Sequence, residues 1–178
     1  MPTHIAFLRA INLGAKRRFG KADVLAVTSS AGFTDVQVYL NTGNVRGDSP
    51  LRSHAKVAAV LEQAYLLDRG FEVPTYVFSP TQVRAIAERV ESLWAEYGAP
   101  GYHAVTLYRA PPTTDAVAAA EALDIEGERV VVDGRAAHVL LREGFHGARI
   151  LNTAEFKALG EGTARSSKVI ATLADRWG

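Results

Sequence analysis

Apolar positions alternate over short stretches of this chain and recur at three- and four-residue spacing elsewhere, so strands and helices are expected to interleave. His4-Ile5-Ala6-Phe7-Leu8 is a compact apolar run and predicts a strand over residues 3–9. Residues 10–20 are polar and contain glycine, as a loop would. Val24, Leu25, Val27 and Ala31 predict a helix over 21–31, stopped by Gly32. Val36, Val38 and Leu40 alternate with Gln37, Tyr39 and Asn41, the period of a strand with two unlike faces. Asn41-Thr42-Gly43-Asn44 is a turn, and Val45-Arg46 begins a short return strand. Val57, Val60, Leu61, Ala64 and Leu67 predict a helix over 51–69 with those side chains on one side, ended by Gly70. A strand over 73–78 follows, entered through Pro74. The order β-α-β-β-α-β is that of the ferredoxin-like split βαβ unit.

The second half varies this order. A helix capped by Ser79 or Thr81 runs to about Tyr97, and Gly98-Ala99-Pro100-Gly101 breaks it. Residues 103–109 alternate as a strand, and Thr113 or Thr114 starts a helix to Leu123. Val130-Val131-Val132, the turn Asp133-Gly134 and residues 137–141 read as a hairpin. Helices over 153–159 and 166–176 close the chain, and a final strand is not evident. The expected architecture is α+β, with two tandem ferredoxin-like subdomains sharing an interface, over residues 1–79 and 80–178.

Composition narrows the chemistry. Of the 178 residues, 48% are hydrophobic and 22% charged, the proportions of a soluble globular chain. No cysteine is present, which removes thiol nucleophiles, disulfides and zinc-thiolate sites, and is compatible with a cytoplasmic location. The opening Met1-Pro2-Thr3-His4 lacks the basic start and apolar run of a secretory signal, and no 18-residue apolar stretch suggests a membrane span. No membrane partner is expected. Net charge is +1, yet the first 22 residues carry Arg9, Lys16, Arg17, Arg18 and Lys21 and no acid.

That basic segment contains a near-miss to a phosphate-cradling loop. Gly14, five residues and Gly20-Lys21 lie between a strand and a helix. The nucleotide-binding pattern needs four intervening residues and a hydroxyl after the lysine, where this chain has Ala22. Nucleotide hydrolysis is therefore not expected. Attraction of an anion to helix-start amides and neighbouring cations survives as an expectation. Candidate ligand-binding residues are Arg9, Asn12, Lys16, Arg17, Arg18 and Lys21, with Asn41 and Asn44 of the turn and Arg165 before the last helix. Strand order does not by itself bring loop and turn together, because a strand antiparallel to the first ends at its opposite end. Ser166 or Ser167 is a helix cap, and Arg165 with Lys168 could form a second anion contact. His4, His54, His103, His138 and His146 fall into no metal-ligand spacing, and no cofactor is expected. Tyr39, Tyr76, Phe78 and Tyr108 fall in predicted strands, but the basic-aromatic string of RNA-stacking sheets is missing and burial is expected.

Three stretches together resemble a known family. Phe7-Leu8-Arg9-Ala10-Ile11-Asn12-Leu13-Gly14 is similar to the opening of the bacterial domain of unknown function 1697 family, whose members carry Leu-Arg-Gly-Ile-Asn-Val-Gly-Gly and a Lys-rich loop. Tyr39-Leu40-Asn41-Thr42-Gly43-Asn44-Val45 resembles its second signature, and Thr163-Ala164-Arg165 the start of its Thr-x-Arg-Asn-Trp segment. Ala10 and Ala15 stand where glycines are usual, and Ser166-Ser167 where Asn-Trp is usual. The resemblance implies two ferredoxin-like subdomains and no established activity. Its matching positions are Arg9, Asn12, Gly14, Asn41, Gly43, Asn44 and Arg165. The functional expectation is a binding module for a phosphate-containing small molecule or nucleic acid. The alternatives are an enzyme acting on a small anionic substrate, without an identifiable general acid or base, and a structural or interaction protein.

Overall fold

A computed structural model describes all residues, Met1–Gly178. The chain forms two compact units, Met1–Val83 with Trp177 and Arg84–Arg176 with Gly178. The architecture is α+β, with two four-stranded antiparallel sheets and six α-helices. No helix is long and apolar enough to cross a membrane.

In the first unit the order is β1 (Thr3–Leu8), α1 (Lys21–Ser30), β2 (Thr34–Tyr39), β3 (Asn44–Asp48), α2 (His54–Arg69) and β4 (Thr75–Phe78). The sheet runs β2-β3-β1-β4. β3 pairs antiparallel with both β1 and β2, through Phe7↔Asn44 and Tyr39↔Asn44 among others. β1 and β2 are therefore parallel, and their C-terminal ends leave the same end of the sheet. This corrects the expectation from strand order, which took the second strand as antiparallel to the first. Loop and turn meet because β3 lies between two strands of one direction.

Ala6, Leu8, Phe19, Val24, Val45, Val57, Leu61, Tyr65 and Val77 form the core of this unit. Its helices bury faces slightly rotated from those the apolar spacing suggests. In α1, Val24 and Thr28 are buried while Leu25 is exposed. Thr28 can be buried because its hydroxyl donates to the Val24 carbonyl at 2.7 Å and lies 2.7 Å from the Tyr65 hydroxyl. In α2, Val57, Ala58, Leu61 and Tyr65 are buried, whereas Val60 and Leu67 face outward. Ser53 caps α2, and Gly70 ends it in the left-handed region at φ +75°.

α3 (Pro80–Tyr97) leads into the second unit, followed by β5 (Tyr102–Tyr108), α4 (Thr114–Glu121), β6 (Glu128–Asp133), β7 (Ala136–Leu141), a short 3-10 turn at Ile150–Asn152, α5 (Ala154–Lys157), β8 (Gly162–Ser166) and α6 (Ser167–Trp177). The sheet runs β6-β7-β5-β8. β8 overturns the expectation of no final strand. It pairs with β5 from Ala104↔Ser166 to Tyr108↔Gly162. Its Gly-Thr-Ala-Arg-Ser sequence carries no apolar alternation, so pairing with β5 rather than local preference makes it a strand. Gly162 belongs there for space: a Cβ would lie 2.7 Å from the Leu107 carbonyl oxygen. Tyr76, Phe78 and Tyr108 are buried, as expected of sheet aromatics, while Tyr39 is half-buried.

Candidate functional site

The segment between β1 and α1 is a shaped loop. Ala10, Asn12 and Gly14 adopt positive φ at alternate positions, +58°, +55° and +67°. Asparagine tolerates this region better than most residues, and its side chain here fixes the loop. Asn12 Nδ2 donates to the Phe19 carbonyl at 2.9 Å and to the Asn41 carbonyl at 2.5 Å. Asn12 Oδ1 accepts from the Phe19 amide at 2.9 Å, and the Asn12 amide donates to the Arg17 carbonyl at 2.6 Å. Phe19 anchors the far end of the loop in the core, edge-on to Tyr65 at 5.1 Å.

Arg17 is a strut. Its Nε donates to the Ala10 carbonyl and an Nη donates to the Glu72 carbonyl, each at 2.5 Å. The guanidinium also lies over the Phe71 ring, 4.7 Å from its centre. Charge at this position holds the loop to the chain before β4.

The turn after β2 closes against the same structure. The Leu8 amide donates to the Gly43 carbonyl at 2.8 Å. Gly43 has φ +79°, and a Cβ there would lie 2.6 Å from Leu8 Cβ and 2.8 Å from Ile11 Cδ1. Asn44 is wholly buried and donates to the Tyr39 carbonyl at 2.8 Å and to Thr42 Oγ1 at 3.2 Å.

The candidate residues therefore separate by role. The polar side-chain atoms of Asn12, Arg17 and Asn44 bond backbone and turn groups, with Asn44 buried, Arg17 half-buried and Asn12 exposed. Asn41 is exposed and contributes its carbonyl to Asn12. Arg9 is half-buried where β1 ends, its amide donating to the Pro74 carbonyl at 2.9 Å. Lys16, Arg18 and Lys21 are exposed. The first turn of α1 begins at Gly20, which offers no side-chain cap. Leu13 stands at the loop tip, 64% exposed.

Arg165 lies in the second unit, on β8, and is only 8% exposed. It donates to Thr163 Oγ1 at 2.9 Å and to the Ala164 carbonyl at 2.8 Å. Burial lowers its pKa to about 10, so it remains a cation at neutral pH. Arg165 is thus buried on the sheet, whereas Lys168, expected beside it as a second anion contact, is exposed. Ser166 is the cap of α6, accepting from the Val169 amide at 3.3 Å.

Two features of the second unit carry no sequence signal. An open pocket of about 590 Å³ lies between the loop after α3, the 123–129 segment and the end of β7. Several of its polar groups already have partners: Arg142 pairs with Glu126 at 3.2 Å, and Arg129 stacks over Tyr97 at 4.3 Å. The second feature is a chain of ring nitrogens, from the partly exposed Trp94 to the buried His103 and His138. No group of three or more His, Cys, Asp or Glu side chains is arranged to hold a metal ion.

A family model described as protein of unknown function (DUF1697) matches residues 1–138, and the chain belongs to that family. A solved structure, the conserved bacterial protein SP0830 from Streptococcus pneumoniae, is similar over 99% of both chains, with 18% identity and a TM-score of 0.77. That likeness is one of fold. No curated protein matches this chain.

Proposed function

We propose that this protein is a cytoplasmic binding module for a phosphate-bearing ligand, with residues 9–21 as its contact segment. We read each of its sheets, with its helices, as ferredoxin-like. One observation carries the functional reading: Asn12 and Arg17 fix the loop internally, and Lys16, Arg18 and Lys21 face solvent around the uncapped start of α1. A preorganised loop loses less conformational entropy when a ligand docks. Free amides at a helix start favour an anion, and the three exposed cations add longer-range attraction.

The test is a thermal-shift titration with inorganic phosphate, nucleotides, sugar phosphates and short RNA, each at low and moderate salt. Stabilisation that disappears in the Lys16→Ala/Arg18→Ala/Lys21→Ala variant supports the reading. A nucleic-acid ligand is distinguished by steep salt dependence, with a slope of about −0.7 to −0.9 per phosphate contacted. No stabilisation by any of these ligands overturns the reading.

A second reading has its own observation. The bonds of Asn12, Arg17 and Asn44 are what a purely structural loop would need. It expects Asn12→Ala to lower stability and the triple lysine/arginine variant to change nothing measurable.

A further inference from the structure

The ring-nitrogen chain in the second unit has a forced direction. Trp94 Nε1–H can only donate, and it lies 2.9 Å from His103 Nδ1. His103 Nδ1 must therefore be unprotonated, and the neutral ring carries its proton on Nε2. That nitrogen lies 3.1 Å from His138 Nδ1, which must accept. The neutral His138 ring then carries its proton on Nε2, a buried atom with no protein partner. Reversing the second bond would leave His103 without a proton on either nitrogen. Protonating His103 sets Nδ1–H against the indole N–H. Protonating His138 sets Nδ1–H against His103 Nε2–H. Either proton removes one hydrogen bond and creates a repulsive contact.

We propose that Trp94, His103 and His138 form a proton-sensitive latch, which holds the C-terminal half of α3 on the sheet of the second unit only while both imidazoles are neutral. His103 is on β5, His138 on β7 and Trp94 on α3, so the chain ties helix to sheet. Burial opposes a proton on both rings. The positive charge of Arg89 on α3 adds to this at His138. On β6, Arg129 and Asp133 share the His138 face through Val131↔His138; Arg129 lies over Tyr97, and Asp133 is 3.9 Å from Arg89. On β8, Arg165 shares that face through Val105, which is opposite both Arg165 and His138. Neither imidazole bonds a carboxylate. Both histidines are buried, while Trp94 is 39% exposed, so the chain leads from the interior to the surface.

Long-range nitrogen–proton NMR on the full chain at pH 7 tests the direction, and both rings are expected as the Nε2–H tautomer. Hydrogen exchange of the α3 amides at residues 85–97, corrected for intrinsic rate, tests the latch. Below the free imidazole pKa, opening should rise by about tenfold per pH unit for each ring that must charge. In Trp94→Phe, His103 Nδ1 no longer faces a donor, and its titration should move up toward the ordinary imidazole value. In His103→Leu/His138→Leu the acid-driven rise in α3 exchange should vanish. Either ring as the Nδ1–H tautomer at pH 7 overturns the proposal, whether or not that double variant folds. So do imidazoles that titrate in the wild type while α3 exchange stays constant.

Discussion

Asn12 combines a left-handed backbone with three side-chain hydrogen bonds to main-chain groups. The two contributions can be separated. Asn12→Gly keeps the backbone easy and removes the bonds, and should cost about 1–3 kcal/mol. Asn12→Ala should cost about 1 kcal/mol more, because alanine resists positive φ. Urea unfolding of the two variants measures the difference. Gly43 is more tightly bound by geometry, since its φ of +79° coincides with a Cβ site 2.6 Å from Leu8 Cβ. Gly43→Ala is expected to lower stability by about 2 kcal/mol or more, with the turn displaced from Leu8. Lys16, Arg18 and Lys21 are exposed, so truncating them should move stability by no more than about 0.5 kcal/mol. Loss of ligand binding in that variant could then not be a folding defect.

At the scale of elements, local pattern and long-range pairing contribute differently. Alternation at Val36 and Val38, helical spacing in α2 and the Asp133-Gly134 turn are visible in the sequence because each is decided within a few residues. β8 is not visible, because Gly162 to Ser166 becomes a strand only against β5. The meeting of loop and turn depends on β1 and β2 being parallel on either side of β3, a relation no local motif encodes. The candidate site is legible as a set of residue types and not as a set of roles. Asn12, Arg17 and Asn44 stand out in the sequence for the same reason as Lys16, Arg18 and Lys21, but only their partners show which bond the protein itself. At β8, Gly162→Val would drive a side chain into the Leu107 carbonyl. Loss of protection at the β5 and β8 amides in hydrogen exchange, with the first sheet unchanged, is the expected outcome. Ser166→Ala removes the α6 cap and should cost about 1 kcal/mol in denaturant unfolding.

At the scale of the whole molecule, pH should act through buried imidazoles. Burial lowers His103 to about 4 and His138 to about 3, with the neighbouring His103 and Arg89 adding to the latter, and it also lowers His4. The unfolded chain binds protons near pH 6.5 that the folded chain refuses. Stability from these groups is therefore complete above about pH 6.5 and declines as pH falls toward 4 and below. Urea melts at pH 7 and pH 5 should show this as a lower midpoint at pH 5, and His103→Leu/His138→Leu should reduce the difference.

Arg17 gives the basic run an unequal grammar. Its neighbours Lys16 and Arg18 can exchange lysine for arginine freely, since each presents charge to solvent. Arg17 cannot, because a lysine offers one compact ammonium where the guanidinium fork reaches two separate carbonyls and covers Phe71. Arg17→Lys, which leaves net charge untouched, would unbrace the loop more than removing the charges on either side of it. A redesign of this surface can therefore rewrite its charge at 16, 18 and 21 while Asn12 and Arg17 keep its shape.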